Sequence, residues 1–166
     1  MGRFMNHKKW VVVMALIATA LILTHLPVSE ADAAASASDF QIEGSTLTKY
    51  RGSDERVTIP DTVEVVGESA FENNQKVQLV VVPKSVKRMD AYVFWGCDNL
   101  EEVVLGKGLT SVDEYAFSGC TGLKQITIPE NVQSIDAQAF AGCTNLTDIY
   151  IPDTVTSIAD DAFLNC

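Results

Sequence analysis

The sequence predicts a solenoid of about five 23-residue coils, with a parallel β-sheet along one side and short helical turns elsewhere. Three observations carry that reading. Phe71, Phe94, Phe117, Phe140 and Phe163 recur every 23 residues without an insertion. Pro60, Pro83, Gly106, Pro129 and Pro152 keep the same phase. Just before them, apolar residues alternate in Val57-Thr58-Ile59, Val80-Val81-Val82, Val103-Val104-Leu105, Ile126-Thr127-Ile128 and Ile149-Tyr150-Ile151. That period of two marks strands with one buried face. A fixed period of this length marks stacked units, none of which can bury its apolar face alone.

Residues 1–35 read as a secretory signal peptide. Arg3, Lys8 and Lys9 precede the apolar run Val11 to Leu23, and small residues from Ala33 to Ala35 offer a cleavage site. The run has 13 residues, whereas a bilayer-spanning helix needs about 20, and Thr24, His25 and Pro27 break it. Residues 36–56 predict a β-hairpin that caps the first coil: Phe40-Gln41-Ile42, a turn at Glu43-Gly44-Ser45, then Leu47 to Tyr50. The solenoid is expected over 57–166, with its last repeat incomplete, as in a fragment of a longer protein.

Within each coil the strand stops at Pro or Gly, because Pro cannot donate a ladder hydrogen bond. Successive strands one full coil apart are then parallel. Apolar columns follow at Val63, Val86, Leu109, Val132 and Val155, and at Val66, Met89, Val112, Ile135 and Ile158; Val77, Leu100, Leu123 and Leu146 form a third. Short segments such as Asp136-Ala137-Gln138-Ala139-Phe140 predict a single helical turn that drives the phenylalanine inward. Next come Asn73, Gly96, Gly119, Gly142 and Asn165, the two residue types most at ease with positive φ, so each coil is expected to leave the turn through a left-handed residue.

Cys97, Cys120, Cys143 and Cys166 sit on the same lattice, with Asn74 in the equivalent place of the first repeat. Stacked coils bring such positions about 5 Å apart, within disulfide reach. One cysteine per coil in identical phase nevertheless reads first as a column of reduced, buried thiols. No close Cys-x-x-Cys pair points to a metal. The five phenylalanines with Cys97, Cys120 and Cys143 are therefore assigned to the structural core.

Without residues 1–35 the chain holds nine basic and twenty acidic residues, a net charge of −11. Phosphate backbones and anionic lipid surfaces repel such a chain, so neither nucleic acid nor a membrane beyond the signal peptide is an expected partner. Both histidines, His7 and His25, lie in the removed segment. Ser-His-Asp and Cys-His catalysis and imidazole-based zinc sites all need a side chain the mature chain lacks. The expectation is a non-enzyme with no catalytic, cofactor or metal site.

Leu123-x-x-Ile126-x-Ile128-Pro129-x-x-Val132-x-x-Ile135-x-x-x-Ala139-Phe140-x-x-Cys143 resembles the unit of the BspA-like leucine-rich repeats of secreted and surface proteins. The resemblance covers 57–166; its departures are Asn74 for Cys, Val93 for Ala and Gly106-Lys107-Gly108 where Pro usually stands. It implies a leucine-rich-repeat solenoid that is secreted or on the cell surface, and adhesion to or recognition of host proteins or other cells; the expected partner is a protein or a surface glycan. It supplies no residue-level site. The outward strand positions do: Arg56, Leu79, Glu102, Gln125 and Asp148 in one column, Thr58, Val81, Val104, Thr127 and Tyr150 in the other. The candidate binding face is Leu79, Val81, Glu102, Val104, Gln125, Thr127, Asp148 and Tyr150, with Tyr150 as the anchor, since tyrosine is enriched in interface hot spots. Two alternatives remain at this point: the targeting arm of a larger secreted enzyme, and a structural spacer.

Overall fold

The computed structural model describes residues 35–166. The expected signal peptide and its cleavage site, Ala35 apart, lie outside the described residues. A short 3₁₀ turn at Ala37–Asp39, capped by Ser36, leads into strand β1 (Phe40–Glu43). β1 pairs antiparallel with β2 (Thr46–Tyr50) around Gly44, whose φ is 62°. Each following coil contributes two strands: β3 (Arg56–Thr58) and β4 (Val65–Val66), β5 (Leu79–Val81) and β6 (Arg88–Met89), β7 (Glu102–Val104) and β8 (Ser111–Val112), β9 (Gln125–Thr127) and β10 (Ser134–Ile135), then β11 (Asp148–Tyr150) and β12 (Ser157–Ile158).

The three-residue strands form one parallel sheet in the order β11-β9-β7-β5-β3. The two-residue strands, unforeseen in the sequence, pair in parallel on another side of each coil: β4 and β6 extend the hairpin sheet in the order β1-β2-β4-β6, and β12-β10-β8 form a sheet of their own. Leu47 of β2 pairs with Val66 and Tyr50 stacks on Phe71 at 5.0 Å, so the hairpin imitates half a coil.

Parallel stacking converts each repeat position into a column. Phe71, Phe94, Phe117 and Phe140 are fully buried, with neighbouring ring centroids 5.0–5.3 Å apart. Val63, Val86, Leu109 and Val132 form a second fully buried column, and Val66, Met89, Val112 and Ile135 a third. No polar or charged residue among those described is buried. The fold therefore rests on apolar burial and on the hydrogen bonds between coils. In the last coil Phe163, Val155 and Leu146 are half-buried, and Ile158 is exposed. Phe163 packs on Phe140 from one side only, so its place in the core is partial.

The expected helical turn before each phenylalanine does not form. In the fourth coil Ala139, Ala141 and Cys143 donate within the coil, to Asp136, Gln138 and Phe140. The intervening Phe140 and Gly142 donate to Ala162 and Leu164 of the next coil at 2.8 and 2.7 Å. An α-helix would direct those N–H groups to its own i−4 carbonyls and leave none of them to join the coils. Stacking wins because one bond of roughly 0.5–1.5 kcal/mol per shared position repeats along the whole solenoid. The arrangement uses two left-handed residues per coil. One is the Gly/Asn exit, from Asn73 to Asn165 with φ of 55–75°. The other falls at Ser69, Tyr92, Tyr115, Gln138 and Asp161, with φ of 54–60°.

Candidate binding face

The outer face of the five-strand sheet is built by alternation. Val57, Val80, Val103 and Ile126 point into the core, and their neighbours on either side point out. In-register pairing aligns Arg56, Leu79 and Glu102 in one column and Thr58, Val81 and Val104 in the next; Gln125 with Asp148 and Thr127 with Tyr150 continue them. Between β7 and β9 the ladder pairs only Glu102 with Gln125.

The candidate residues differ in access. Val104 is 46% exposed and Tyr150 53%. Gln125, Thr127 and Asp148 are exposed, whereas Leu79, Val81 and Glu102 are half-buried. The face is thus partly apolar and half-buried at its centre, and open toward both ends, where Arg56 and Thr58 are exposed as well. Tyr150 is not a free phenol. Its hydroxyl donates to Glu130 Oε1 at 3.2 Å, and that hydrogen bond, followed by the Glu130 charge, raises its pKa above the ordinary tyrosine value. Lys124 and Glu101 pair at 2.7 Å in the exposed segments that lead into β9 and β7. The sheet end around Tyr150 carries Glu130, Asp148 and Asp153.

Cys97, Cys120 and Cys143 lie inside the coils, away from this face, buried and unbridged. Each thiol donates to a carbonyl of the preceding coil: Cys97 to Phe71 at 3.1 Å, Cys120 to Phe94 at 3.1 Å, Cys143 to Phe117 at 3.2 Å. Cys166 makes the same bond to Phe140 at 3.1 Å but is exposed. Asn74, in the equivalent place of the first repeat, instead accepts from the N–H groups of Lys76 and Val77. Burial pushes the Cys97 and Cys143 thiols up to about 12, and raises Cys120 well above its ordinary value.

Sequence reasoning missed two surface features. Tyr92 and Tyr115 stack at 4.8 Å with ring planes 6° apart, outside the core. An open groove of about 470 Å³ between the turns after β3, β5 and β7 is lined by Asp61, Lys84, Ser85, Lys87, Lys107 and Gly108. The tyrosine pair arises from the stacking of positions 23 residues apart, so reading each repeat position as a column of side chains would have found it.

Comparison with known proteins places this geometry. The family model for the BspA type leucine-rich repeat region matches residues 45–166 in six copies, starting inside the hairpin and before the first repeat read from the sequence. A leucine-rich cell surface protein from Faecalibacterium prausnitzii A2-165 is 35% identical, with a TM-score of 0.72 over 73% of this chain and 32% of its own. The T. pallidum leucine-rich repeat protein TpLRR is 28% identical, with a TM-score of 0.77 over 81% of this chain and 68% of its own. A leucine-rich repeat protein from Bacteroides ovatus ATCC 8483 is 26% identical, with a TM-score of 0.56 over 68% and 35%. The chain spans about a third of the length of the F. prausnitzii protein. No curated protein sequence matches the chain. With the family model covering well over half its length, the chain belongs to the BspA-type leucine-rich repeat family.

Proposed function

We propose that this solenoid is a protein-binding module acting outside the cell or at its surface, and that it binds through the outer face of the β3–β11 sheet. The observation that carries the reading is the exposure of Val104 and Tyr150 on one in-register face, with Thr127 between them in sequence and on the same side. Apolar groups held in water by a rigid sheet lose little conformational entropy on binding, which lowers the ordering cost of association. Tyr150 adds a hydroxyl already oriented by Glu130. The acidic groups at that end, Asp148, Glu130 and Asp153, favour a partner surface that is basic. Leucine-rich repeats are commonly protein-binding, and the F. prausnitzii relative is described as a cell surface protein. The basic and apolar start of the chain supports export.

The test is the triple variant Val104→Lys, Thr127→Lys, Tyr150→Lys, compared with wild type for capture of extracellular proteins on an immobilised column. Wild type should retain a defined species that the variant loses while its far-ultraviolet circular dichroism stays unchanged. Equal capture by both proteins, or none by wild type, would remove the sheet face as the binding surface.

A further inference from the structure

The chain is strongly acidic, yet three of the nine basic residues beyond position 35 crowd one place. Lys84, Lys87 and Lys107 line the 470 Å³ groove between the turns that follow β3, β5 and β7. Lys84 and Lys107 occupy equivalent positions of adjacent coils. Neighbouring strands lie roughly 5 Å apart, and like charges facing each other at that spacing destabilise a sheet. No ion pair among the described residues relieves them: Arg88 pairs with Asp90 and Lys124 with Glu101. In the same column Asp61 and Glu130 hold the flanking positions, one coil away on either side, and neither forms an ion pair with the lysines.

The backbone departs from the repeat at the same point. Where the other coils place Pro, this coil has Gly106-Lys107-Gly108. A Cβ at Gly106 would run into the Pro83 carbonyl, and one at Gly108 into the carbonyls of Val86 and Lys84. The glycines therefore let the Lys107 turn settle onto the Lys84 turn, and both lysines line the same groove. Ser85, also in that wall, has a hydroxyl with no hydrogen-bond partner among the described residues.

We propose that this groove binds an acidic polysaccharide through its sulfate or carboxylate groups. Lysine fits the task as a compact point charge with three rotatable donors, suited to anions whose position varies along a chain; planar bidentate recognition would call for arginine. Asp61, in the same wall, accepts hydrogen bonds from sugar hydroxyls but repels the closely spaced carboxylates of an acidic peptide. The volume lies in the range of ordinary ligand sites, and the groove is open, so a polymer passes across it. The chain's other acids act over a Debye length of only about 8 Å at physiological ionic strength, so those farther away are screened.

This site is separate from the sheet face, and its test is independent. Binding of dextran sulfate and of polygalacturonate would be measured by titration calorimetry at several salt concentrations. Wild type should bind at least one of them, with affinity falling as salt rises. The double variant Lys84→Gln, Lys107→Gln should bind about tenfold or more weakly, with a shallower salt dependence. Lys76→Gln, Lys124→Gln makes the same charge change elsewhere and should bind as wild type does. All four side chains are exposed, and circular dichroism verifies folding of each variant. The proposal is overturned if wild type binds neither glycan, if the control variant weakens binding equally, or if poly-glutamate binds as tightly as the glycans.

Discussion

Phe140 and Phe163 stack face to face, with centroids 5.3 Å apart and planes 1° from parallel, yet only Phe140 is fully buried. Phe140 has a ring on each side, Phe117 at 5.2 Å and Phe163 at 5.3 Å. Truncating it empties the middle of a column that flanking coils cannot close without breaking their own hydrogen bonds. Phe140→Ala should cost about 3–5 kcal/mol, the range for a buried aromatic, and Phe163→Ala clearly less. Urea unfolding of both variants measures this, and equal small losses would mean that the column does not hold the coils together.

The left-handed residues give a pair of predictions with opposite signs. Gly142 has φ of 75°, and the nearest atom to a Cβ there would be 3.7 Å away, an ordinary contact. The penalty of Gly142→Ala is therefore conformational alone, about 1–2 kcal/mol. Gln138 adopts φ of 54° with a side chain in place, so Gln138→Gly relieves a similar strain while adding chain entropy to the unfolded state. Gln138→Gly should be neutral or mildly stabilising. Chemical denaturation of the two variants compares them directly, and a loss for Gln138→Gly as large as that of Gly142→Ala would contradict this account.

The same positions show what the sequence reveals and what it hides. Asn73, Gly96, Gly119, Gly142 and Asn165 announce their backbone because only Gly and Asn appear there. Ser69, Tyr92, Tyr115, Gln138 and Asp161 adopt the same conformation with no such signature, since the inter-coil bonds on either side impose it. The second set of strands stays hidden for a different reason: two residues, as in Ser134–Ile135, are too few to show alternation. The outward columns of the candidate face follow from alternation and register. The half-burial of Leu79 and Val81 does not, because it depends on what flanks the sheet. The lysine groove depends on Gly106 and Gly108 letting two turns approach, which the spacing of Lys84 and Lys107 alone does not reveal.

Asp113 introduces a dependence on pH. Its carboxyl accepts from Ser111 Oγ at 2.6 Å and is about half-buried; burial raises its pKa above the ordinary value, and the charges of Asp136 and Asp90 add to this against the Ser111 hydrogen bond. A carboxyl whose folded pKa exceeds its unfolded one favours folding when protonated and opposes it when ionised. Asp113→Asn keeps an oxygen for Ser111 and removes the charge. It should raise the melting temperature at pH 7, and the gain should shrink as pH falls through the carboxylate range, where the wild-type group becomes neutral. Thermal melts at pH 7 and pH 3 decide, since an equal gain at both would mean that charge is not the cause.

The cysteine column should make the protein sensitive to alkali. Burial pushes Cys97 and Cys143 up to about 12 and raises Cys120 well above its ordinary value, while an unfolded thiol titrates near 8.5. A folded pKa above the unfolded one means that the stabilisation is intact below the unfolded value. As pH rises through the window between the two, the unfolded chain releases protons that the folded chain retains, and stability falls. The buried S–H groups donate to carbonyls of the preceding coil, so ionising one loses its hydrogen bond and places a charge in apolar surroundings. Denaturant midpoints should therefore decline from about pH 8.5 upward, and the triple variant Cys97→Ala, Cys120→Ala, Cys143→Ala should flatten that decline despite lower stability at pH 7. Thiol labelling gives a second measure. In the folded protein a thiol reagent should modify Cys166 quickly, since it is exposed, and reach the other three only at the rate of unfolding. Rapid labelling of Cys120 under native conditions would mean that the coils open locally and that the thiols are not held as a sealed column.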